Sequence, residues 1–260
     1  MKFIDCNASI GLGTVNREIV NHEGLMVREK VKQAKDSAEL LAEMDRCGVD
    51  EAFVYHQAMF DTDPVYGNAL ILKETAGSER LHATFTILPS VTEEVFEPET
   101  LMKSMKAYNI RALRVFPHRN RFFLNKVTMG ELLSVICEKR IPLFLTPYEE
   151  WKFIYEVLAE YPELTVIITN YGLWGSDRFV FPLVREYKNV YLDTSDYQMM
   201  NGYLRFVGKF GSDKLLFGTN YPMDNMGGPI ATLVGSGLSA SDIENIAHKN
   251  IERLISEVRL

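Results

Sequence analysis

The chain has 260 residues, 47% of them hydrophobic and 24% charged, and a net charge of −7. That composition is ordinary for a soluble globular protein. The negative balance argues against nucleic acid or an anionic membrane surface as partner, and no apolar run reaches membrane-spanning length. Met1-Lys2-Phe3-Ile4-Asp5 has no signal-peptide core, and Cys6, Cys47 and Cys137 show no metal-knuckle spacing. Free thiols in a reducing cytoplasm are the expectation.

In chain order, short β-rich apolar runs occur at 2–6, 52–56, 82–88, 110–116, 142–146, 165–169, 190–192 and 215–218. Helical patterns separate them. Ser37 to Asp45 places Ala38, Leu40, Leu41 and Met44 on one face, and Gly48 follows as a stop. Thr128 to Lys139 repeats the scheme with Leu132, Leu133, Val135 and Ile136 inward. Glu150 to Glu160 and Ser241 to Glu257 do so again. Eight strand–helix units without a Ser/Pro linker or charge block point to an α/β fold over residues 1–260, a single (β/α)8 TIM barrel in one domain. A doubly wound open sheet would alternate in the same way. The longest connection, Ile10 to Asp36, carries Gly11, Gly13 and Gly24. It covers the active face or is a tolerated surface insertion.

Several segments resemble the amidohydrolase-related barrels, the group of metal-dependent hydrolases, lactonases and aromatic-acid decarboxylases. Phe3-Ile4-Asp5-Cys6-Asn7-Ala8-Ser9 resembles the first strand, and Ser37 to His56 the first helix and second strand. Asn189 to Ser195 is similar to the seventh strand, Asp213 to Pro222 to the eighth, and His248 to Ile255 to the closing helix. The resemblance runs from Met1 to the C-terminus. It implies metal ligands at five places, which hold Asn7, Ser9, Thr146, Asn170 and Asn220 here. Amides and hydroxyls are poor zinc ligands, so no metal and no other cofactor is expected. The replacements are polar, which predicts a wet pocket at the barrel mouth. Cys6, by strand alternation, is expected to point away from the barrel interior.

The candidate catalytic residues are His56, Asp193 and Asn220. His56 ends the second strand, where a histidine can act as a base near neutral pH, though such a residue is more often simply hydrogen-bonded. Asp193, with Ser195 and Asp196, closes the seventh. Candidate substrate contacts are Asn7, Ser9, Arg114, His118, Thr146, Tyr148, Asn170, Tyr171, Trp174 and Tyr221. Arg114 lies mid-strand; it pairs with Asp193 or Asp5, or with a substrate carboxylate. His118, Arg119 and Arg121 make a basic cluster past a strand end, where barrels place function. The aromatic residues could wall a pocket for a planar ligand.

The resemblance implies a hydrolase with a degenerate site, acting without metal on a small carboxylated lactone or ester. A catalytically silent barrel that binds a small molecule or a partner protein is the alternative. A decarboxylase or aldolase-like lyase is disfavoured, because no strand-end lysine offers an imine. The expected partner is a small anionic molecule. Assembly into a homo-oligomer is left open.

Overall fold

Parallel strands and intervening helices alternate along the computed structural model, which describes residues 1–11, 34–94, 97–147, 150–171, 176–197 and 201–260. The strands are β1 (Ile4–Ile10), β2 (Glu51–His56), β3 (Leu81–Ala83), β4 (Phe85–Thr86), β5 (Leu113–Val115), β6 (Leu143–Leu145), β7 (Val166–Ile168), β8 (Val190–Asp193) and β9 (Leu215–Leu216). They pair in sequence order in two arcs, β1-β2-β3 and β4 to β9. Main-chain bonds from Cys6 N to the Phe217 carbonyl and from Ser9 N to the Tyr221 carbonyl, both 2.9 Å, join β1 to the segment after β9. This is the expected α/β barrel architecture.

Local chemistry sets the elements. The helix Ser37–Cys47 begins where Asp36 accepts the Glu39 amide, and it ends at Gly48 with φ 79. A side-chain N-cap of this kind stabilises a helix by about 1 kcal/mol. Helices Lys126–Glu138 and Lys152–Glu160 occupy the segments expected from periodicity. The closing helix is interrupted by one π turn over Asn245–Lys249. No helix among the described residues is long and apolar enough to cross a membrane.

One expected strand is divided. Residues 82–88 read as a single run, but Thr84 breaks it. The Thr84 amide and hydroxyl both donate to the Val54 carbonyl, at 2.9 and 3.0 Å. β3 therefore pairs with β2, while β4 pairs with β5.

The apolar side chains form two layers. Leu40, Met44, Leu132, Leu133 and Ile136 belong to the larger cluster, in which helices pack on the outer strand faces. Ile4, Cys6, Phe53, Ala112, Phe144, Ile167, Tyr191 and Leu216 form a separate inner cluster from alternate strand positions. Cys6 thus corrects the expectation from alternation. β1 carries a bulge: three steps from Asp5 to Ala8 face two from Ala52 to Val54. The extra residue lets Cys6 and Asn7 both face inward. The Asn7 amide, left out of the ladder, donates to Asp5 Oδ1 at 2.9 Å.

Candidate functional site

Above the inner apolar layer lies a layer of polar side chains. Arg114 on β5 is its anchor and is fully buried. Its Nη2 donates to the Cys6 carbonyl at 2.8 Å, Nη1 to Asn7 Oδ1 at 3.1 Å and Nε to Thr84 Oγ1 at 3.2 Å. The guanidinium lies over the rings of Tyr55 and Phe144, 4.6 and 4.2 Å from their centroids. Both faces are covered and each nitrogen has a partner. Burial works against the charge of Arg114, and the nearby tyrosine, cysteine and carboxylates offset it. Neither Asp193 nor Asp5, the partners expected from sequence, is bonded to it. Three of its five N–H groups, one on each nitrogen, are thereby engaged within the fold.

Asn7 passes this polarity on. Its Oδ1 accepts from Arg114, so its Nδ2 faces the far wall of the barrel. That nitrogen lies 2.8 Å from Asn170 Oδ1, 2.8 Å from Asp193 Oδ2 and 3.2 Å from Ser195 Oγ. Ser195 Oγ donates to Asp193 Oδ2 at 2.5 Å. Among the described residues, Asp193 Oδ1 has two long main-chain bonds, from Asn170 N at 3.3 Å and Ser195 N at 3.4 Å. Burial pushes the Asp193 carboxyl up to about 7, against the hydrogen bonds from Ser195, Asn170 and Asn7; the Asp196 charge raises it further. Asn170 adopts φ 47, a left-handed conformation that asparagine tolerates better than most residues. Its Nδ2 is buried and, among the described residues, has no hydrogen-bond partner. Gly218 permits the packing of Asp193: a Cβ there would sit 2.8 Å from Asp193 Oδ2 and 3.0 Å from Ser195 Oγ.

Asp5 has a different task. Its Oδ2 accepts from Thr219 Oγ1 at 2.5 Å and its Oδ1 from Thr219 N at 3.0 Å, which ties the β1 bulge to the end of the last strand. Burial raises its carboxyl above the ordinary range. Ser9 accepts from Gln57 Nε2 at 2.6 Å and donates to the Tyr221 carbonyl at 3.2 Å. Cys6, though inward, is enclosed by apolar side chains. Burial pushes its thiol well above the usual range, which disfavours the nucleophilic thiolate.

Among the described residues, the remaining sequence candidates form no hydrogen bond to Arg114, Asn7 or Asp193. His56 packs its ring against Gly11, where an added Cβ would stand 2.4 Å from His56 Cε1. Its Nδ1 accepts the Ala58 amide at 3.1 Å, and burial lowers its pKa. Asn220, at φ 57, donates to Asp224 Oδ2 at 2.7 Å on the rim. Thr146 Oγ1 and Thr169 Oγ1 share a bond of 2.7 Å. Tyr171 is buried against Tyr197, and among the described residues its hydroxyl has no hydrogen-bond partner. Tyr221 is buried and His118 exposed. Tyr148 and Trp174 fall outside the described residues. Sequence reasoning did not single out Gln57, Thr84, Thr169, Thr219 or the rings of Tyr55 and Phe144. Parity with Arg114 was the only signal that could have found Phe144, its register neighbour on β6.

Residues 25–256 match the amidohydrolase family model, so the chain belongs to the amidohydrolase family. An uncharacterized TIM-barrel protein from Bordetella bronchiseptica is similar in structure, with a TM-score of 0.75, 20% identity and coverage of 99% of each chain. The 2,6-dihydroxybenzoate decarboxylase from Rhizobium gives a TM-score of 0.72 at 13% identity, covering 98% of this chain and 99% of its own. A probable 2-pyrone-4,6-dicarboxylic acid hydrolase from Acinetobacter baumannii, with citric acid bound, gives 0.69 at 15% identity, covering 98% of this chain and all of its own. No curated protein matches the sequence significantly.

The side chains in the expected ligand places do not fit a divalent metal. Asn7 turns an N–H₂ donor, not a lone pair, toward Asp193 and Asn170. The hydroxyl of Thr146 is bonded to Thr169 and that of Ser9 to main chain. Among the described residues, no three His, Cys, Asp or Glu side chains gather as a metal would need.

Proposed function

We propose that this chain is a hydrolase that opens a small carboxylated lactone or ester without a resident metal. The observation that carries the reading is Asp193, a buried carboxyl with a pKa of about 7, held beside an asparagine that has an unused buried donor. A base whose pKa lies near working pH is the most effective one. Asp193 Oδ1, with only long main-chain bonds, accepts the proton of the attacking water. Asn170 Nδ2 donates to the ester carbonyl oxygen as negative charge builds there, in the manner of an oxyanion hole. Water adds to the acyl carbon, the ring C–O bond breaks, and the leaving alkoxide takes the proton back from Asp193. Asn7 and Arg114 hold the two groups in register. Esters are activated acyl groups and need less help than amides. His56 and Asn220 play no part in this scheme, because their hydrogen bonds run elsewhere.

The full chain is assayed against a panel of carboxylated lactones beside Asp193→Asn, Asn170→Ala and Cys6→Ala. Loss of a general base or of one oxyanion donor lowers turnover by roughly 10²- to 10⁴-fold. Cys6→Ala is expected to keep the parent rate. A trapped acyl adduct on Cys6 or full activity in Asp193→Asn refutes the mechanism. The second reading, a silent binding barrel, is favoured by how completely Asn7 and Arg114 are satisfied within the fold. No turnover by the parent of any lactone, ester or amide selects it.

A further inference from the structure

Arg114 is buried, with one N–H of each nitrogen bonded inside the fold and both faces of its guanidinium against rings, so a substrate carboxylate does not reach it without rearranging that layer. An acidic ligand must find its counter-charge elsewhere. Between the segments after β5 and β6 is a cavity of about 740 Å³. Its volume lies in the range of small-molecule sites. His118, Arg119 and Arg121 line it on one side. Among the described residues, none of the three has a carboxylate partner; Arg119 rests on the Phe60 ring at 4.5 Å. Of the two glutamates at the cavity, Glu156 is paired with Lys152 at 3.4 Å. Among the described residues, Arg119 and Arg121 thus face one glutamate without a cationic partner, Glu150.

Phe122 and Phe153 supply apolar wall. Thr146 forms the inner edge, and through its bond to Thr169 it adjoins the strand end that presents Asn170. The combination is one of apolar wall and basic side chains at the end of β6, the strand paired with β7, which Asn170 follows. We propose that this cavity anchors the carboxylate of a planar ring acid, with His118 and Arg121 as the charge-assisted donors. The proposal rests on the reading of a carboxylated substrate given above, and it assigns the recognition to this cavity instead of Arg114.

The test uses the full chain and two ring probes, benzene-1,3-dicarboxylate and its neutral diamide, with binding followed by calorimetry and amide NMR. The dicarboxylate is expected to bind, with shifts at residues 117–125, and the diamide to bind at least about tenfold more weakly. His118→Gln with Arg121→Gln is expected to weaken the dicarboxylate by about tenfold, and raised salt to weaken it further. Both positions are exposed, so the double variant should fold as the parent does. Equal affinity for the two probes, an unchanged Kd in the double variant, or no binding at all overturns the proposal. Lactone turnover by the parent that ignores both substitutions and substrate charge also overturns it, while leaving the hydrolase reading intact. Dicarboxylate binding with no turnover of any lactone leaves the site standing and removes the hydrolase.

Discussion

Arg114→Met keeps an unbranched apolar stem between Tyr55 and Phe144 and deletes the guanidinium. Asn7 Oδ1 and the Cys6 carbonyl then lose their donors in a region closed to water. Each orphaned buried acceptor costs about 1–3 kcal/mol. The two ring contacts are worth about 1 kcal/mol each. Relief from the desolvation of a buried cation offsets part of this. The net expected loss is about 3–5 kcal/mol, as when one partner of a buried charge network is removed. That is a large share of the roughly 5–15 kcal/mol by which a protein is stable. Urea unfolding at neutral pH, followed by near-UV circular dichroism of the buried tyrosines, reads it as a fall in midpoint. A midpoint within about 1 kcal/mol of the parent at equal slope, or above it, refutes the view that the guanidinium braces Asn7 and the bulge.

Asp193 links stability to pH. Its folded pKa of about 7 lies above the ordinary 3.8, so between those values the folded chain holds a proton that the unfolded chain has lost. The contribution is fully present below about pH 4 and falls as pH rises to 7, by about 4 kcal/mol. Asp193→Asn should lose this slope: relative to the parent, its Tm gains between pH 4.5 and pH 8, and parallel Tm curves refute the assignment. Gly218→Ala drives a Cβ toward Asp193 Oδ2 and should cost about 1–3 kcal/mol by thermal denaturation. An unchanged Tm would mean that Asp193 can move aside freely.

The strand and helix order was legible because each strand is a short apolar run followed by a 3.6-period segment, as in Ser37–Cys47. The emptied ligand places were legible because a family resemblance fixed where to look. The tie between Arg114 and the Cys6 carbonyl spans 108 residues, so nothing local announces it. The bulge at Asp5 to Ala8 was hidden for another reason. Alternation assigns Cys6 and Asn7 to opposite faces, and only the pairing with β2 shows the extra residue. The division at Thr84 escaped notice because threonine is a good strand former; here its polar atoms bond to Val54.

The bulge works as a change of reading frame in the barrel wall. Below it, Ile4 and Cys6 contribute to the dry floor; above it, Asn7 and Ser9 contribute to the polar storey. The two storeys follow separate phases of one strand. Substitution at Asn7 or Ser9 can therefore rewrite the chemistry of the mouth while the floor keeps its packing. A barrel built this way can change residues at its mouth without repacking its floor.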